Sequence, residues 1–319
     1  MNSNSFDPSN FGKKPEERNI EELLNLGIVV IDKPRGPSSH QVSEWTRNIL
    51  GVDKSGHLGT LDPDVSGVLP VLLGRATNAA YFLMQHDKEY VGIMHFEKEL
   101  SEAAILGLFK KFTGEIWQIP PVGAAVARRR RKRKIYSLEL LEFDGKNVLF
   151  DVKCEAGTYI RTLAEDMGKS LGRGNSAKLI ELRRIQVGNF SEKNAVTLQE
   201  LSDAYWLWKE KGDNKKLMKL IHPLEYGVKD FKKIWISDNA VEAICNGAQL
   251  MIPGIARFES SITGGDIVVI MTLKEEIVAF AEASLSEKEF QTMDRGIAAK
   301  IMRVIMERGR YPKAWKTEK

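Results

Sequence analysis

One aspartate lies in a stretch of glycine, proline and aliphatic residues that could hold a reactive carboxylate. Residues 56–67 have the sequence Gly-His-Leu-Gly-Thr-Leu-Asp-Pro-Asp-Val-Ser-Gly. Because Pro63 follows it, Asp62 is expected to have an extended rather than a helical backbone. Gly59 and Gly67 allow sharp turns or the close approach of another segment. The stretch predicts a carboxylate on a stiff loop with aliphatic walls, although Asp-Pro alone also indicates an ordinary turn.

Four other side chains could serve the same chemistry, and each also has an ordinary structural interpretation. His57 precedes the aspartate and could be a structural loop residue. Tyr90 stands near the start of a predicted strand, where a tyrosine usually packs half-buried. Tyr159 and Arg161 fall in the first turn of a predicted helix. Arg161 is either a surface residue or, as the sharper alternative, the partner of a carboxylate.

Seven consecutive basic residues form an internal block at 128–134. Such a block is usually solvated or disordered because like charges repel. Here it directly precedes two segments, 135–143 and 148–154, and the second alternates apolar and polar residues as a strand does. The Asp-Gly-Lys-Asn turn between them predicts a hairpin. We therefore expect the block on a loop at the base of a sheet, where it could bind a phosphate backbone in a salt-dependent manner.

The length and composition are those of a soluble globular chain with a weak basic bias. The chain has 319 residues, of which 43% are hydrophobic and 28% charged, and its net charge is +4. This length suggests two domains. Cys154 and Cys245 frame no disulfide scaffold, which favours a reducing compartment, and the five histidines show no metal-ligand spacing with them. No apolar run would span a bilayer, and the N-terminus lacks the apolar core of a signal peptide.

Hydrophobic periodicity predicts several helices and strands in the first part of the chain, after a polar, flexible arm over residues 1–19. A helix between Ser38 and Gly51 would place on one face its apolar residues Val42, Trp45 and Ile49. Thr158 could cap the helix that carries Arg161. We expect this first domain to cover residues 20–230.

The character of the sequence changes from about residue 231. Short apolar runs alternate with turns rich in glycine and proline, which predicts a small β-barrel over residues 231–307. A basic tail with two aromatic residues, Tyr311 and Trp315, follows over residues 308–319.

Taken together, these segments resemble the TruB-like pseudouridine synthases, and most closely the dyskerin-type catalytic subunit of box H/ACA ribonucleoproteins. The resemblance is carried in order by residues 27–36, 57–67, 73–77, 88–90, 120–133, 157–161 and 182–184. Residues 246–255 and 264–280 are similar to a PUA domain. The sequence lacks the long lysine-rich tail of eukaryotic members, and in this respect it resembles archaeal members.

The resemblance implies a fold of the α+β class. A mixed, mainly antiparallel central sheet flanked by helices would form the pseudouridine synthase core over residues 20–230. A C-terminal PUA-type β-barrel would bind RNA over residues 231–307.

The resemblance also implies a role for each candidate catalytic residue. Asp62 matches the catalytic aspartate, and Arg161 matches the arginine that pairs with it. Tyr90 matches the tyrosine that stacks on the target base. Tyr159 matches a second tyrosine of the active site, and Leu182 an apolar wall.

The implied RNA-binding residues come from three regions. His57 matches a histidine that helps to hold a flipped-out nucleotide, and residues 120–134 match a thumb loop that closes over substrate RNA. The full set is His57, Arg128, Arg129, Arg130, Arg131, Lys132, Arg133, Gly247, Ala248 and Pro253.

Three features depart from the family pattern or stand outside it. Leu58 replaces a small Ser or Thr. Ala124, Ala125 and Ala127 stand where relatives usually carry some basic residues. Asp64 is acidic, but other members lack an acid at this place, so it is not counted as catalytic.

The implied reaction breaks the N1–C1′ bond of a uridine, turns the uracil and joins C5 to C1′. The base must first leave its stack, which costs a few kcal/mol. Asp62 could attack C1′, as a retaining glycosidase does, or remove the proton from C2′ to give a glycal. Arg161 would favour the charged form of the carboxylate. Neither a metal nor a cofactor is expected.

The resulting hypothesis is a cytoplasmic archaeal enzyme that isomerises specific uridines in ribosomal RNA, and also in transfer RNA, under the direction of a guide. Its expected partners are a box H/ACA guide RNA, the substrate RNA and three small proteins: a zinc-ribbon-like, a β-barrel and a kink-turn-binding protein. No membrane partner is expected. The alternatives are a guide-independent synthase for uridine 55 of tRNA and a non-catalytic RNA-binding scaffold.

Overall fold

The computed structural model describes residues 11–121 and 126–313. The helices are α1 (Ile20–Leu26), α2 (Ser39–Leu50), α3 (Ala80–Leu83), α4 (Glu102–Phe112), α5 (Ile160–Ser170), α6 (Leu198–Lys211), α7 (Lys215–Leu220), α8 (Asp238–Cys245) and α9 (Glu287–Thr292).

The strands of the first part are β1 (Gly27–Lys33), β2 (Ser55–His57), β3 (Ser66–Leu73), β4 (Lys88–Phe96), β5 (Gly114–Gln118), β6 (Arg131–Phe143), β7 (Asn147–Cys154), β8 (Ala177–Val187), β9 (Phe190–Ser191) and β10 (Ile221–Pro223). Those of the second part are β11 (Lys232–Ile236), β12 (Leu250–Met251), β13 (Ile255–Phe258), β14 (Ile267–Thr272), β15 (Ile277–Ala283) and β16 (Ile297–Val304).

The strands form two sheets. The first has ten strands in the order β10-β1-β3-β8-β4-β7-β6-β5, with β2 added beside β3 and β9 beside β8. Its one parallel pair among the described residues is β3 with β8. The second sheet has the order β12-β16-β15-β14-β11-β13, with β11 and β14 parallel. The predicted α+β class with a mainly antiparallel central sheet is confirmed, and the predicted hairpin is β6–β7.

Helix α2 was predicted correctly, and its apolar face was predicted correctly at Val42 and Ile49 but not at Trp45. The Ser38 side chain accepts a hydrogen bond from the backbone of Gln41, and Gly51 ends the helix at φ 61°. Trp45, however, is 43% exposed, whereas Thr46 is buried. The Thr46 hydroxyl donates to the Val42 carbonyl at 2.8 Å, so a polar side chain can occupy the core face.

The two sheets share part of one hydrophobic core. Phe82, in α3, stacks on Phe280, in β15, with ring centroids 4.1 Å apart and an angle of 5° between the planes. Arg18 adds a polar link, since its guanidinium makes two 2.7 Å hydrogen bonds to Glu225. The Glu225 carboxylate in turn accepts from the backbone of Ile277 at 3.0 Å. The two sheets are therefore joined by packed side chains rather than by the chain alone.

The prediction of a flexible arm is wrong for residues 11–19. Arg18 is 2% exposed, and the Lys274 ammonium donates to the carbonyls of Phe11 and Gly12. Tyr311, in the predicted tail, is also buried, and its hydroxyl donates to Glu276 at 2.8 Å. These buried polar contacts join distant parts of the chain, so local composition could not predict them. Residues 1–10 and Trp315 lie outside the described residues.

Arg184 and Lys88 are buried cations of the first sheet and lie next to the loop that carries Asp62. Arg184 is 1% exposed and donates to the carbonyls of Val68 and Gly59, at 2.8 and 3.0 Å. Lys88 is 6% exposed and donates to the carbonyls of Met84 and His86, at 2.6 and 2.5 Å. Burial, reinforced by the charge of Arg184, lowers the pKa of Lys88 to about 8.

Replacing Lys88 by Met should change how stability depends on pH. The folded chain releases the Lys88 proton near pH 8, but the unfolded chain releases it near the ordinary value of 10.5. Between these two pH values the unfolded state binds more protons than the folded state. The contribution of Lys88 to the wild-type free energy of unfolding therefore increases as the pH rises. Relative to Lys88→Met, the wild type should gain up to about 3 kcal/mol between about pH 7.5 and pH 10 in urea denaturation.

The matched control is Lys153→Met, which alters an exposed lysine on the neighbouring strand β7. Its difference from wild type should stay constant over the same pH range. A constant difference for Lys88→Met as well would contradict the lowered pKa.

Candidate active site

The loop between β2 and β3 carries Asp62, and a buried lysine donates hydrogen bonds to the backbone of this loop. Lys33, at the end of β1, has no exposed surface. Its ammonium donates to the carbonyls of Pro34, Pro63 and Val65, at 2.9, 3.2 and 2.7 Å. Burial lowers the pKa of Lys33, and the carboxylates of Asp62 and Asp64 oppose this decrease. The backbone on the C-terminal side of Asp62 is therefore pinned.

Further contacts fix the same loop at its other points. The Ser39 hydroxyl accepts from the Leu61 amide at 2.7 Å and donates to the Leu61 carbonyl at 2.9 Å. Gly67 has φ 107°, and a Cβ there would lie 2.2 Å from the Arg184 carbonyl oxygen. Leu58 is fully buried, so the departure from a small residue is accommodated inside the core.

Asp62 and Arg161 meet at the mouth of this site. One Arg161 guanidinium nitrogen donates to a carboxylate oxygen of Asp62. The side chains are 53% exposed for Asp62 and 46% for Arg161. An ion pair this exposed adds little to stability. The pairing instead orients a carboxylate that a ligand can still reach, beside the buried Leu61 and Val65.

Tyr90 and Leu182 lie on one face of the sheet next to the loop. Tyr90 pairs with Arg184, and Gly92 pairs with Leu182, in the β4–β8 ladder. Tyr90 is 8% exposed and belongs to the same hydrophobic cluster as Leu61. Leu182 is partly buried and packs against this cluster. Burial raises the pKa of Tyr90, so its hydroxyl is protonated at neutral pH. The register thus brings the predicted aromatic and aliphatic side chains to the aspartate loop.

Helix α5 supplies Arg161, but the predicted cap is wrong. The residue before the helix is Tyr159, whose side chain makes no capping bond. The Thr158 hydroxyl instead donates to the Glu155 carbonyl at 2.7 Å. Gln118, the last residue of β5, was not predicted as part of the site, yet its side chain makes hydrogen bonds to both backbone polar groups of Tyr159. No local signal marks this glutamine in the sequence, because its burial is decided by the fold.

His57 stands where the loop begins. It is the last residue of β2 and is half-buried. Its Nδ1 is buried without a hydrogen-bond partner in the described parts of the chain. Burial lowers the pKa of His57, and the charge of Arg184 contributes to the decrease. The histidine is therefore neutral at physiological pH.

The basic block is not a loop throughout, which corrects the prediction. Arg131 and the three residues after it form the start of β6, because they pair with β5. The two-residue period turns Arg131 and Arg133 to one face and Lys132 and Lys134 to the other. Before the strand, Arg128, Arg129 and Arg130 are exposed. Ala127 is described, whereas the substitutions at 124 and 125 lie outside the described residues.

The remaining RNA-binding candidates lie in the connections on either side of β12, in the second part of the chain, and not in the Asp62 loop. Gly247 follows α8 with φ 92°, and it is exposed together with Ala248 and Pro253. Among residues 11–121 and 126–313, no group of three His, Cys, Asp or Glu side chains could hold a metal ion. No helix in those ranges is long and apolar enough to cross a membrane.

Four family models match the sequence, and together they cover most of it. Residues 47–160 match the TruB family pseudouridylate synthase N-terminal domain, and residues 161–229 match the tRNA pseudouridylate synthase B C-terminal domain. Residues 232–305 match the PUA domain, and residues 1–43 match the DKCLD (NUC011) domain.

Named relatives match over nearly the whole chain. A probable tRNA pseudouridine synthase B of Methanocaldococcus jannaschii is 52% identical over 97% of this chain and 91% of its own. The corresponding protein of Methanopyrus kandleri is 49% identical over 96% of this chain and 90% of its own.

Solved structures agree with this assignment. A Cbf5–Nop10–Gar1 complex contains a chain with a TM-score of 0.91 and 45% identity, covering 98% of this chain and 94% of that one. An H/ACA ribonucleoprotein bound to a substrate RNA containing 2′-deoxyuridine gives 0.90 and 43%, covering 98% and 96%. The chain belongs to the TruB family of pseudouridine synthases and carries a C-terminal PUA domain.

Proposed function

We propose that this pseudouridine synthase is the catalytic subunit of a box H/ACA ribonucleoprotein and isomerises guide-selected uridines in ribosomal RNA, and also in transfer RNA. The observation that carries the proposal is the accessible Asp62–Arg161 pair beside Tyr90. Its likeness along the full chain to proteins solved within H/ACA complexes supports the role of the guide.

Asp62 is the proposed catalytic residue because its carboxylate is both held and reachable. The loop backbone is pinned by Lys33 and Ser39, while the carboxylate itself is about half exposed. It either attacks C1′ as the N1–C1′ bond breaks, or takes the C2′ proton to leave a glycal. In the first route C5 of the turned uracil displaces the carboxylate from C1′ as the C5–C1′ bond forms. In the glycal route the C5–C1′ bond forms and Asp62 returns its proton to C2′. In both routes the proton on C5 then leaves and N1 gains one.

Tyr90 and Leu182 are proposed to receive the extruded uracil, and Tyr159 to line the same site. The Tyr90 ring is already packed, so little side-chain entropy is lost when a base stacks on its accessible part. Stacking of a base on an aromatic ring recovers about 1–3 kcal/mol of the cost of extrusion. His57, neutral and at the start of the loop, is proposed to help to hold the flipped nucleotide.

The basic block and the PUA domain are proposed to hold RNA around this centre. Arg128, Arg129 and Arg130 are exposed, and Arg131, Lys132 and Arg133 extend the charge along β6. Phosphate contacts position an RNA without reading its sequence. The exposed residues Gly247, Ala248 and Pro253, on either side of β12, are proposed to bind the lower stem and the ACA end of the guide RNA.

The similar Cbf5 chain was solved with Nop10 and Gar1. We propose that this chain likewise assembles with small proteins of the zinc-ribbon-like and β-barrel kinds. The family resemblance adds a kink-turn RNA-binding protein as the third.

The substitution Asp62→Asn should abolish pseudouridine formation while RNA binding is retained. It removes the charge that attacks C1′ or accepts the C2′ proton, so the single-turnover rate should fall at least about 1,000-fold. The measurement is pseudouridine content of the target RNA, with RNA affinity measured in parallel.

The matched control is Asp64→Asn, which removes an exposed acid two residues along the same loop. It should retain the wild-type rate within about threefold. Full activity of Asp62→Asn would overturn the catalytic assignment, and full inactivity of the wild type on every RNA offered would favour a non-catalytic scaffold.

The curated relatives are called tRNA pseudouridine synthase B, and this favours a second candidate, a guide-independent tRNA synthase for uridine 55. The deciding assay compares a target RNA with and without its guide RNA, and a tRNA transcript alone. Guided action predicts conversion of the target only when the guide is present. Conversion of the tRNA alone, with none of the guided target, would replace the first proposal by the second.

A further inference from the structure

Gln118 is a buried side chain that the proposed chemistry does not yet use. It is 3% exposed and ends β5, at the point where the chain leaves the sheet. Its amide Nε2 donates to the Tyr159 carbonyl at 3.1 Å, and its Oε1 accepts from the Tyr159 amide at 3.0 Å. One side chain therefore holds both backbone polar groups of a residue 41 positions away.

The residue held in this way stands directly before the helix that carries Arg161. Tyr159 has an extended backbone, with φ −99° and ψ 106°, and its side chain does not cap α5. Its carbonyl already accepts the Leu163 amide at 3.0 Å, so Gln118 adds a second bond to the same oxygen. Since Arg161 is the second residue of α5, a shift of this end would move the guanidinium that pairs with Asp62.

Gln118 also belongs to the base of the basic segment. It pairs with Arg131 in the β5–β6 ladder. Two residues after it, the Pro120 carbonyl accepts from Nε of Arg128 at 3.2 Å, which closes the base. On the other side of the α5 end, the Arg133 guanidinium lies 3.0 Å from where a Cβ of Gly157 would be. The residues just before α5 therefore contact the base of the segment proposed to bind RNA at two points: Gln118 bonds to Tyr159, and Arg133 lies against Gly157.

We propose that Gln118 is a positioning residue for the reaction: it fixes the N-terminal end of α5, and so the Arg161 guanidinium, relative to Asp62. It links the base of the RNA-binding segment to the counter-ion of the catalytic carboxylate. The inference rests on the proposed function of Asp62. It concerns geometry, however, and can be tested apart from activity.

The main variant is Gln118→Leu, which keeps a similar volume and removes both hydrogen bonds. At saturating RNA the single-turnover rate should fall about 10- to 100-fold, because small displacements of reacting groups are costly. RNA affinity should stay within about twofold, since no side chain that meets RNA is removed. The matched control is Gln186→Leu, whose amide donates to the Gly188 carbonyl at 2.8 Å, and it should keep the wild-type rate.

A double-mutant cycle separates positioning from a general structural role. If Gln118 acts through Arg161, then Gln118→Leu should change the rate less than about twofold when Arg161→Lys is already present. An equal loss in both backgrounds, a loss confined to RNA affinity, or no loss would each overturn the proposal.

A second variant guards against misfolding. In Gln118→Glu the ionised side chain accepts from the Tyr159 amide but cannot donate to its carbonyl, whereas the protonated side chain can do both. Its rate relative to wild type at the same pH should therefore rise as the pH falls. A pH-independent ratio would count against the proposed double contact.

Hydrogen exchange keeps this test distinct from the test of function. In Gln118→Leu, about one additional amide hydrogen of the peptide covering residues 157–163 should exchange rapidly with solvent, because the Tyr159 N–H loses its acceptor. That result would support the geometry even if the wild type converted no uridine, in which case the proposed function alone would fail. Unchanged exchange together with an unchanged rate would overturn the inference and leave the proposed function intact.

Discussion

The site depends on the buried ammonium group of Lys33. Removing a charge from water is costly, and here three backbone carbonyls, of Pro34, Pro63 and Val65, compensate for it. Two of these carbonyls lie in the loop immediately after Asp62. Because the loop is held by its backbone, the Asp62 side chain is left free to point outward and remain about half exposed. A carboxylate can then be both rigidly placed and accessible.

The sheet register supplies the rest of the site around this loop. The pairing of β4 with β8 puts Tyr90 opposite Arg184 and Gly92 opposite Leu182, so an aromatic and an aliphatic side chain share one face. Slipping the register by one residue would turn both away. Helix α5 then brings Arg161 to Asp62, and Gln118 holds the beginning of that helix. The ion pair is exposed, so its geometry depends on these buried neighbours rather than on its own strength.

Some features could not be predicted because they join residues far apart in sequence. Gln118 is an ordinary polar residue until the fold places Tyr159 beside it. Composition suggested a flexible N-terminal arm, yet Arg18 is buried against Glu225, in a contact that spans 207 positions. Trp45 fits the helical period but faces solvent, since Thr46 bonds its own helix and takes the core face. Four of the basic residues form a strand because β5 is available to pair with them.

The family and the Asp62 loop could be recognised from local motifs of the sequence, namely glycines, the Asp-Pro step and periodic apolar residues, and the α+β class followed from the family resemblance that these motifs carry. It also pointed correctly to the contact between Asp62 and Arg161, through the resemblance. Which polar groups are buried, and which partners satisfy their hydrogen bonds, depends on contacts between distant segments. Lys33, Arg184 and Gln118 each bond to backbone atoms of distant segments, and such partners exist only once the chain has packed.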